Sequence, residues 1–97
     1  MVGFTSMEIS HKEIAPDTVA VTIAGKVMMG PESEQITTLV NDLLGEAKRI
    51  IIIFDIAGIT KIDSTGMGRF ISSYNQVAAA GGEIRMAGAP RFPSWMS

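Results

Sequence analysis

The residues of this chain best suited to chemistry are an acid, two adjacent hydroxyls and two glycines within the stretch TKIDSTGMGRF. Asp63, Ser64 and Thr65 come first, and Gly66 and Gly68 follow. An acid or hydroxyl ahead of a helix caps it by accepting a hydrogen bond from a free backbone N–H, an effect of about 1 kcal/mol. A cap uses one side chain, whereas each glycine inside a helix costs about 1 kcal/mol relative to alanine. We therefore expect another group to approach this backbone closely.

A catalytic serine is one alternative to a simple cap. It requires a base within reach and an acid that orients the base. The chain has a single histidine, His11, which lies in the first predicted strand and is interpreted as a strand-surface residue. The glycine that a nucleophile elbow places two residues before its serine is replaced by Ile62. These features disfavour a serine hydrolase.

Phosphate-binding loops and metal sites are also disfavoured. Neither phosphate-loop pattern, G-x-x-x-x-G-K-[ST] or G-x-G-x-x-G, occurs in the sequence. The chain has one histidine and no cysteine, and its acids are scattered, so no spacing typical of metal ligands is present. The sequence thus predicts no catalytic residue, no metal and no cofactor.

The remaining interpretation of the cluster is a hydroxyl that is modified. A phosphoserine carries about −1.5 to −2 charges, which the N-terminus of a helix tolerates and a partner packed on that surface does not.

Composition narrows the class of protein. The 97 residues are 46% hydrophobic, which fits a single domain spanning residues 1–97. A net charge of −2 without charged blocks argues against nucleic acid or a membrane as partner and favours a protein or small ligand. The longest apolar run, Ile50 to Phe54, is far below the roughly 20 residues of a membrane-spanning helix, and the first residues do not resemble a signal peptide. We expect a cytoplasmic location.

The segments that position the cluster follow from hydrophobic patterning. GFTSMEISHKEI and TVAVTIAGK alternate like strands around the turn APD, and MGPESEQITTLVNDLLG is helical, with Pro31 in its first turn. RIIIIFDIAG is a continuous apolar run, which predicts a central strand covered on both faces. A second helix is predicted from Asp63 or Ser64 to Gly81, followed by the strand EIRMAG. The positions expected to face the core are Ile36, Leu39, Val40, Leu43 and Leu44 in the first helix, and Met67, Phe70, Ile71, Tyr74, Val77 and Ala78 in the second.

This order predicts an α/β domain with a mixed sheet of about four strands. The first two strands form an antiparallel hairpin, and the later ones are parallel because helices connect them. Ligands and partners engage such sheets at the loops that follow the carboxyl ends of the strands. Those loops are predicted at 26–30, 57–65 and 88–91, which places Ser64 at the functional edge.

Residues 51–88 resemble a known family. IIIFDIAGITKIDSTGMGRFISSYNQVAAAGGEIRMAG is similar to the STAS domain of bacterial anti-sigma factor antagonists. The family pattern is an apolar strand, Asp, an apolar residue, x-G-[VI]-x-x-I-D-[ST]-[ST]-G-x-G, an amphipathic helix and G-G-x-[IL]-x-[LM]. VAVTIAGKV also resembles the family's second strand. The resemblance covers most of the domain.

The resemblance implies that Ser64 is phosphorylated and that the chain is a regulator of transcription, not an enzyme. In the family, the unphosphorylated protein binds an anti-sigma factor that is also a serine kinase, which releases a sigma factor. Phosphorylation breaks the complex, and a PP2C-type phosphatase reverses it. An STAS scaffold or interaction module that is never phosphorylated is the alternative. The partner-binding residues so implied are Asp63, Ser64, Thr65, Gly66, Met67, Gly68, Lys26 and Met28, with Asp55 and Gly58 as structural support.

Two departures from the family pattern concern the partners. Lys26 and Met28 stand where many antagonists carry acids, in G-[ED]-[LIV]-D. Residues 89–97, APRFPSWMS, form an atypical tail in place of a further amphipathic helix, so the final family helix is expected to be missing. An apolar surface left uncovered predicts a homodimer through that surface, with Phe92, Trp95 and Met96 docked on a neighbour.

Overall fold

The computed structural model describes residues 7–46 and 50–88. Its elements are β1 (Met7–Ala15), β2 (Thr18–Val27), α1 (Pro31–Glu46), β3 (Ile51–Ile62), α2 (Ser64–Ala79) and β4 (Glu83–Ala87). The four strands lie in the order β1-β2-β3-β4. β1 is antiparallel to β2, while β2, β3 and β4 are mutually parallel. The predicted α/β fold, its hairpin and its parallel crossovers are confirmed.

Both helices contribute to one core on one face of the sheet. The predicted inward positions of α1 are confirmed, since Ile36, Val40 and Leu43 are buried and Leu39 and Leu44 pack against the same cluster. The rings of Phe54 on β3 and Phe70 on α2 meet edge to face, with centroids 5.4 Å apart. Such aromatic pairs add about 0.5–1.5 kcal/mol beyond the area they bury. The second helix is thereby anchored on the central strand.

The prediction that β3 is covered on both faces is wrong for the described residues. Ile52, Phe54 and Ile56 are buried, but Ile51 and Ile53, which point to the other face, are only half-buried. Successive strand side chains point to opposite faces, and both described helices lie on one of them. The run of β-branched residues suits a pleated strand without requiring a second covering layer.

The predicted loops at the carboxyl edge are shorter than expected. Residues 57–62 belong to β3, and 26–27 belong to β2, because the two strands stay paired up to Val27 and Ile62. Register shifts between Thr22 and Ala24 and between Gly25 and Lys26 accommodate this extension. The connection after β2 is thus residues 28–30, and Asp63 alone separates β3 from α2.

The buried face of α2 also differs from the prediction. Phe70 and Val77 are buried as expected, together with Gly66 and Ser73. Exposed positions include three that were expected in the core: Ile71, Tyr74 and Ala78. The helical spacing of the apolar residues was predicted correctly. The face of α2 that packs on the sheet is rotated about the helix axis relative to the predicted face. It ends as predicted, with Gly81 at φ 82° just beyond Ala79.

Residues 89–97 lie outside the described part of the chain. The predictions of an atypical tail, of a missing final helix and of docking by Phe92, Trp95 and Met96 concern those residues and stay predictions, as does the single domain over residues 1–97. Neither α1 nor α2, the helices of the described ranges, is long and apolar enough to cross a bilayer.

Candidate functional site

The carboxyl ends of β2 and β3 bring the candidate residues together. Val27 and Ile62, the last residues of the two strands, are register partners. The loop that follows Val27 therefore lies beside the start of α2. Met28 and the whole segment 63–68 meet at this edge, whereas Asp55 and Gly58 lie further back along β3.

Asp63 joins the two sides of this edge. It is the N-cap of α2, and its Oδ1 accepts a hydrogen bond from the Gly66 N–H at 2.7 Å. Its Oδ2 accepts from the Met29 N–H at 2.9 Å, and its own N–H donates to the Val27 carbonyl at 3.3 Å. One side chain thus caps the helix and fixes the β2–α1 loop. The predicted cap is confirmed and has this second task.

These bonds also set the charge of the site. The backbone N–H groups of Gly66 and then Met29 lower the pKa of the Asp63 carboxyl below its ordinary value, while desolvation opposes them. Hydrogen bonds to the ionised form favour it over the neutral form. Asp63 therefore carries a full negative charge at neutral pH, and its oxygens are already engaged by the backbone.

The two glycines of the motif have different surroundings. A Cβ at Gly66 would lie 2.0 Å from the Val27 carbonyl oxygen and 2.8 Å from its carbon. The close approach expected from the sequence is therefore that of β2, and Gly66 is buried against it. A Cβ at Gly68 would meet nothing within 4 Å among the described residues, and Gly68 is exposed. The fold explains Gly66 but gives no reason for Gly68.

Ser64 is the first residue of α2 and is exposed. Thr65 and Met67, beside it, are half-buried. Residues three or four apart share a helix face, and from Ser64 this spacing runs along one exposed face of the helix. This face, here named the α2 stripe, consists of Ser64, Gly68, Ile71, Tyr74, Asn75 and Ala78. Ile71 and Tyr74 are each 57% exposed, so the stripe carries two large, mainly apolar side chains beyond its hydroxyl end, beside the amide of Asn75.

Lys26 and Met28 both lie near the carboxyl edge of the sheet, but Lys26 belongs to β2 and Met28 to the β2–α1 loop. Lys26 is exposed and its register partner on β3 is Lys61, also exposed. Both lie on the sheet face opposite the helices, because Val27, the next residue, points into the core. Met28 is half-buried in the β2–α1 loop, and Met29 after it is 77% exposed. The lysines make this corner of the sheet basic.

Asp55 and Gly58 make contacts inside the sheet. Oδ1 of Asp55 accepts from the Ala57 N–H at 3.2 Å, two residues along the strand. A Cβ at Gly58 would lie 2.9 Å from the Cβ of Ala24 on β2. Both residues act where the strand pairing is irregular. Their geometry fits a supporting role and does not bring them to Ser64.

Sequence reasoning missed Arg69 and Ser33. Ser33, fully buried near the start of α1, donates through its Oγ to the Gly30 carbonyl at 3.1 Å and accepts from Nε of Arg69 at 3.2 Å. Arg69 Nη2 also lies 3.8 Å from Glu34 Oε1. These contacts tie α2 to the first turn of α1. No local pattern indicates them, since the partners are 36 residues apart.

The described residues place neither His11 nor a metal site beside Ser64. His11 lines a cavity between β1 and α1 that does not include Ser64. Within residues 7–46 and 50–88, no group of three or more histidines or acids is arranged to hold a metal ion. A serine needs a base within hydrogen-bond reach to act as a nucleophile. Ser64 is exposed and does not line the cavity that contains His11.

Comparison with known proteins identifies similar domains. The chain matches the family model of the STAS domain over residues 10–93. No curated protein matches it. Among solved structures, Mglu superposes with a TM-score of 0.72 and 18% identity, over 87% of this chain and 20% of Mglu.

The anti-sigma factor antagonist SpoIIAA is similar in two forms. Its unphosphorylated form gives a TM-score of 0.67 at 18% identity, over 79% of this chain and 66% of SpoIIAA. The phosphorylated form of this Bacillus cell fate determinant gives 0.65 at 19% identity, over 79% of this chain and 68% of SpoIIAA. The chain thus spans about a fifth of Mglu and about two-thirds of SpoIIAA. At these identities the likeness is one of fold.

Proposed function

The chain belongs to the STAS domain family, and on that premise we propose that it is an anti-sigma factor antagonist whose partner binding is switched by phosphorylation of Ser64. In this proposal the chain is a regulator and has no catalytic role of its own. The main observation in support is the position of Ser64. It lies at the edge where β2 and β3 end, and it is the first residue of the exposed α2 stripe. SpoIIAA, of the same fold, is known in unphosphorylated and phosphorylated forms.

A phosphate on Ser64 would act on a partner more than on the fold. Ser64 is exposed, so the added group needs no internal space. The N-terminus of a helix favours negative charge. However, the Asp63 carboxylate already holds the Gly66 N–H, so the phosphate cannot take over the cap. Its charge would stay at the surface and repel or displace whatever packs there.

The partner is proposed to lie along the α2 stripe. Gly68 presents bare backbone at the centre of the first exposed turn, with open space where a side chain would be. Ile71 and Tyr74 continue the apolar surface, and apolar and aromatic side chains dominate protein interfaces. Met29 is the adjacent exposed apolar residue on the β2–α1 loop, fixed there by Asp63. Lys26 lies on the other sheet face and would contact a partner only at the rim.

In this proposal the unphosphorylated chain binds an anti-sigma factor serine kinase and so releases a sigma factor. The kinase phosphorylates Ser64 and is released, and a PP2C-type phosphatase restores the hydroxyl. The chain would act in the cytoplasm, where these partners meet. Lys26, which replaces an acid of many antagonists, and its register partner Lys61 favour a second candidate: an STAS scaffold that binds a different, acidic partner without being phosphorylated.

The experiment starts from a pull-down with Ser64→Ala as bait, because this variant cannot be released by modification. The recovered kinase is then incubated with ATP and the full chain, and intact mass is measured. We expect one phosphate on the wild type and on Thr65→Ala, and none on Ser64→Ala. Ser64→Glu should weaken kinase binding at least tenfold while the free energy of unfolding changes by less than about 0.5 kcal/mol.

Two outcomes contradict the proposal. An unchanged wild-type mass, with a kinase that is active on itself or on another substrate, would favour the scaffold. A phosphate that persists in Ser64→Ala and disappears in Thr65→Ala would move the switch to Thr65.

A further inference from the structure

β1 is an edge strand with a free side in the described part of the chain. It is paired only with β2 there, in a regular antiparallel register from Met7 to Glu13. An edge strand presents unpaired N–H and C=O groups that can pair with another extended segment. β1 has neither proline nor glycine over its nine residues, so nothing within it interrupts such pairing.

A groove runs beside this free edge. It lies between β1 and α1 and has a volume of about 360 Å³. Ile9 on β1 and Leu39 on α1 form its floor, and both are partly buried against the core. The groove therefore lies between an edge strand that can pair with another strand and a helix, over two partly buried apolar side chains. An extended peptide added to a sheet edge uses this combination, because main-chain bonds give affinity and pockets for alternate side chains give specificity.

The helix wall of the groove is acidic. Glu34, Thr38 and Asp42 are spaced by four residues, so they share one face of α1, and all three are exposed. The groove is lined by the two carboxylates and by no lysine or arginine of the described residues. Arg69 approaches Glu34 from the other side, at 3.8 Å, but the Glu34 side chain stays 62% exposed. The charge of the wall fits a basic ligand.

We propose that the β1–α1 groove binds an extended basic segment of a partner protein, which adds to β1 as a fifth strand. An apolar side chain of the segment rests on Ile9 and Leu39. Lysines or arginines two residues before and after it lie beside Glu34 and Asp42. Alternate residues of a strand share a face, so all three side chains enter the groove together.

The spacing of the two acids supports this pattern. Glu34 and Asp42 are eight residues apart on a helix, which is about 12 Å at 1.5 Å per residue. Two strand residues four positions apart are separated by about 13–14 Å. A segment of the form basic-x-apolar-x-basic therefore matches both carboxylates at once. The surface is separate from the α2 stripe, so the inference does not depend on phosphorylation of Ser64.

The test uses a displayed library of random twelve-residue peptides selected on the full chain. We expect enrichment of basic-x-apolar-x-basic, and the consensus peptide is then synthesised and its Kd measured by fluorescence anisotropy. Asp42→Lys should weaken binding at least tenfold. The matched control is Asp17→Lys, which makes the same change of charge at an exposed residue lining a different cavity; its Kd should stay within twofold of wild type.

A second measurement tests the added strand itself. Two versions of the peptide are N-methylated on complementary sets of alternate amides. Methylation of the set whose N–H groups pair with β1 should abolish binding, and methylation of the other set should leave binding unchanged. If the peptide bound through side chains alone, both versions would bind equally. The proposal is overturned if the selection does not enrich the basic-x-apolar-x-basic pattern, or if the peptide binds Asp42→Lys as tightly as wild type. It is also overturned if the backbone amides whose NMR chemical shifts change on binding lie in the α2 stripe and not in β1.

Discussion

Gly66 and Gly68 are two positions apart in one motif, but their surroundings differ. Gly66 is the point at which β2 and α2 touch, since a Cβ there would lie 2.0 Å from the Val27 carbonyl oxygen. Gly66→Ala should therefore lower the free energy of unfolding by about 1–3 kcal/mol or more, because neither backbone can yield without moving the site. Urea unfolding of the purified variant measures this change.

Gly68→Ala is the matched control for that substitution. A Cβ at Gly68 meets nothing within 4 Å of the described structure, so alanine should raise the free energy of unfolding by about 1 kcal/mol through its helix propensity. Equal effects of the two substitutions would contradict the assigned contact between Gly66 and Val27. A stabilised Gly68→Ala that binds its partner less well would show that this glycine serves recognition.

Asp63 makes stability depend on pH in a definite direction. Its pKa in the folded chain is lowered, chiefly by the Gly66 N–H and then by the Met29 N–H. A group with a lowered folded pKa contributes stability above its unfolded pKa of about 3.9, and that contribution is lost as the pH falls through the folded value. Wild type should exceed Asp63→Asn in free energy of unfolding at pH 6, and the difference should shrink below pH 4. A difference that is constant from pH 6 to pH 3 would contradict this role.

At the scale of elements, α2 has one face buried in the core and another, exposed face that we propose binds a partner. Gly66, Phe70, Ser73 and Val77 are buried, while the α2 stripe is exposed. The stripe can therefore be changed without disturbing the fold. Ile71→Lys should weaken binding of the anti-sigma kinase at least tenfold and change the free energy of unfolding by less than about 0.5 kcal/mol.

Ala80→Lys provides the comparison at the end of the same helix. Ala80 is exposed and is the C-cap of α2, and nine residues after Ile71 it lies about 180° around the helix axis from it. The same charge added there should leave kinase binding within twofold of wild type. Binding lost equally in both variants would indicate a general charge effect and remove the stripe from the interface.

At the scale of the whole molecule, the described sheet is covered by helices on one face only. The opposite face carries half-buried Ile51 and Ile53 at its centre, and their register partners on β4, Glu83 and Arg85, are exposed. The described residues leave the side chains of Ile51 and Ile53 only partly covered, and apolar surface that is left open favours association between copies. The prediction of a homodimer is checked by size-exclusion chromatography with light scattering at micromolar concentration. A dimer that Ile53→Lys converts to a monomer would identify this face, and a wild type that is only monomeric would contradict the prediction.

The features that the sequence determined are those set by neighbours along the chain. The order of strands and helices, the cap at Asp63, the stop at Gly81 and the inward face of α1 all follow from local periodicity and turn chemistry, and the structure agrees with them. The motif around Ser64 was sufficient to indicate the family, which the match over residues 10–93 shows.

Tertiary structure decided whatever depends on residues that are distant in sequence. A hydrophobic period defines a helical face but not how the helix is rotated against the sheet, so Ile71 and Tyr74 were placed in the core and lie outside it. The rotation is set where Gly66 packs on Val27, 39 positions earlier in the chain. The Asp63–Met29 bond, the Arg69–Ser33 contact and the β1–α1 groove likewise exist only after strands and helices have packed.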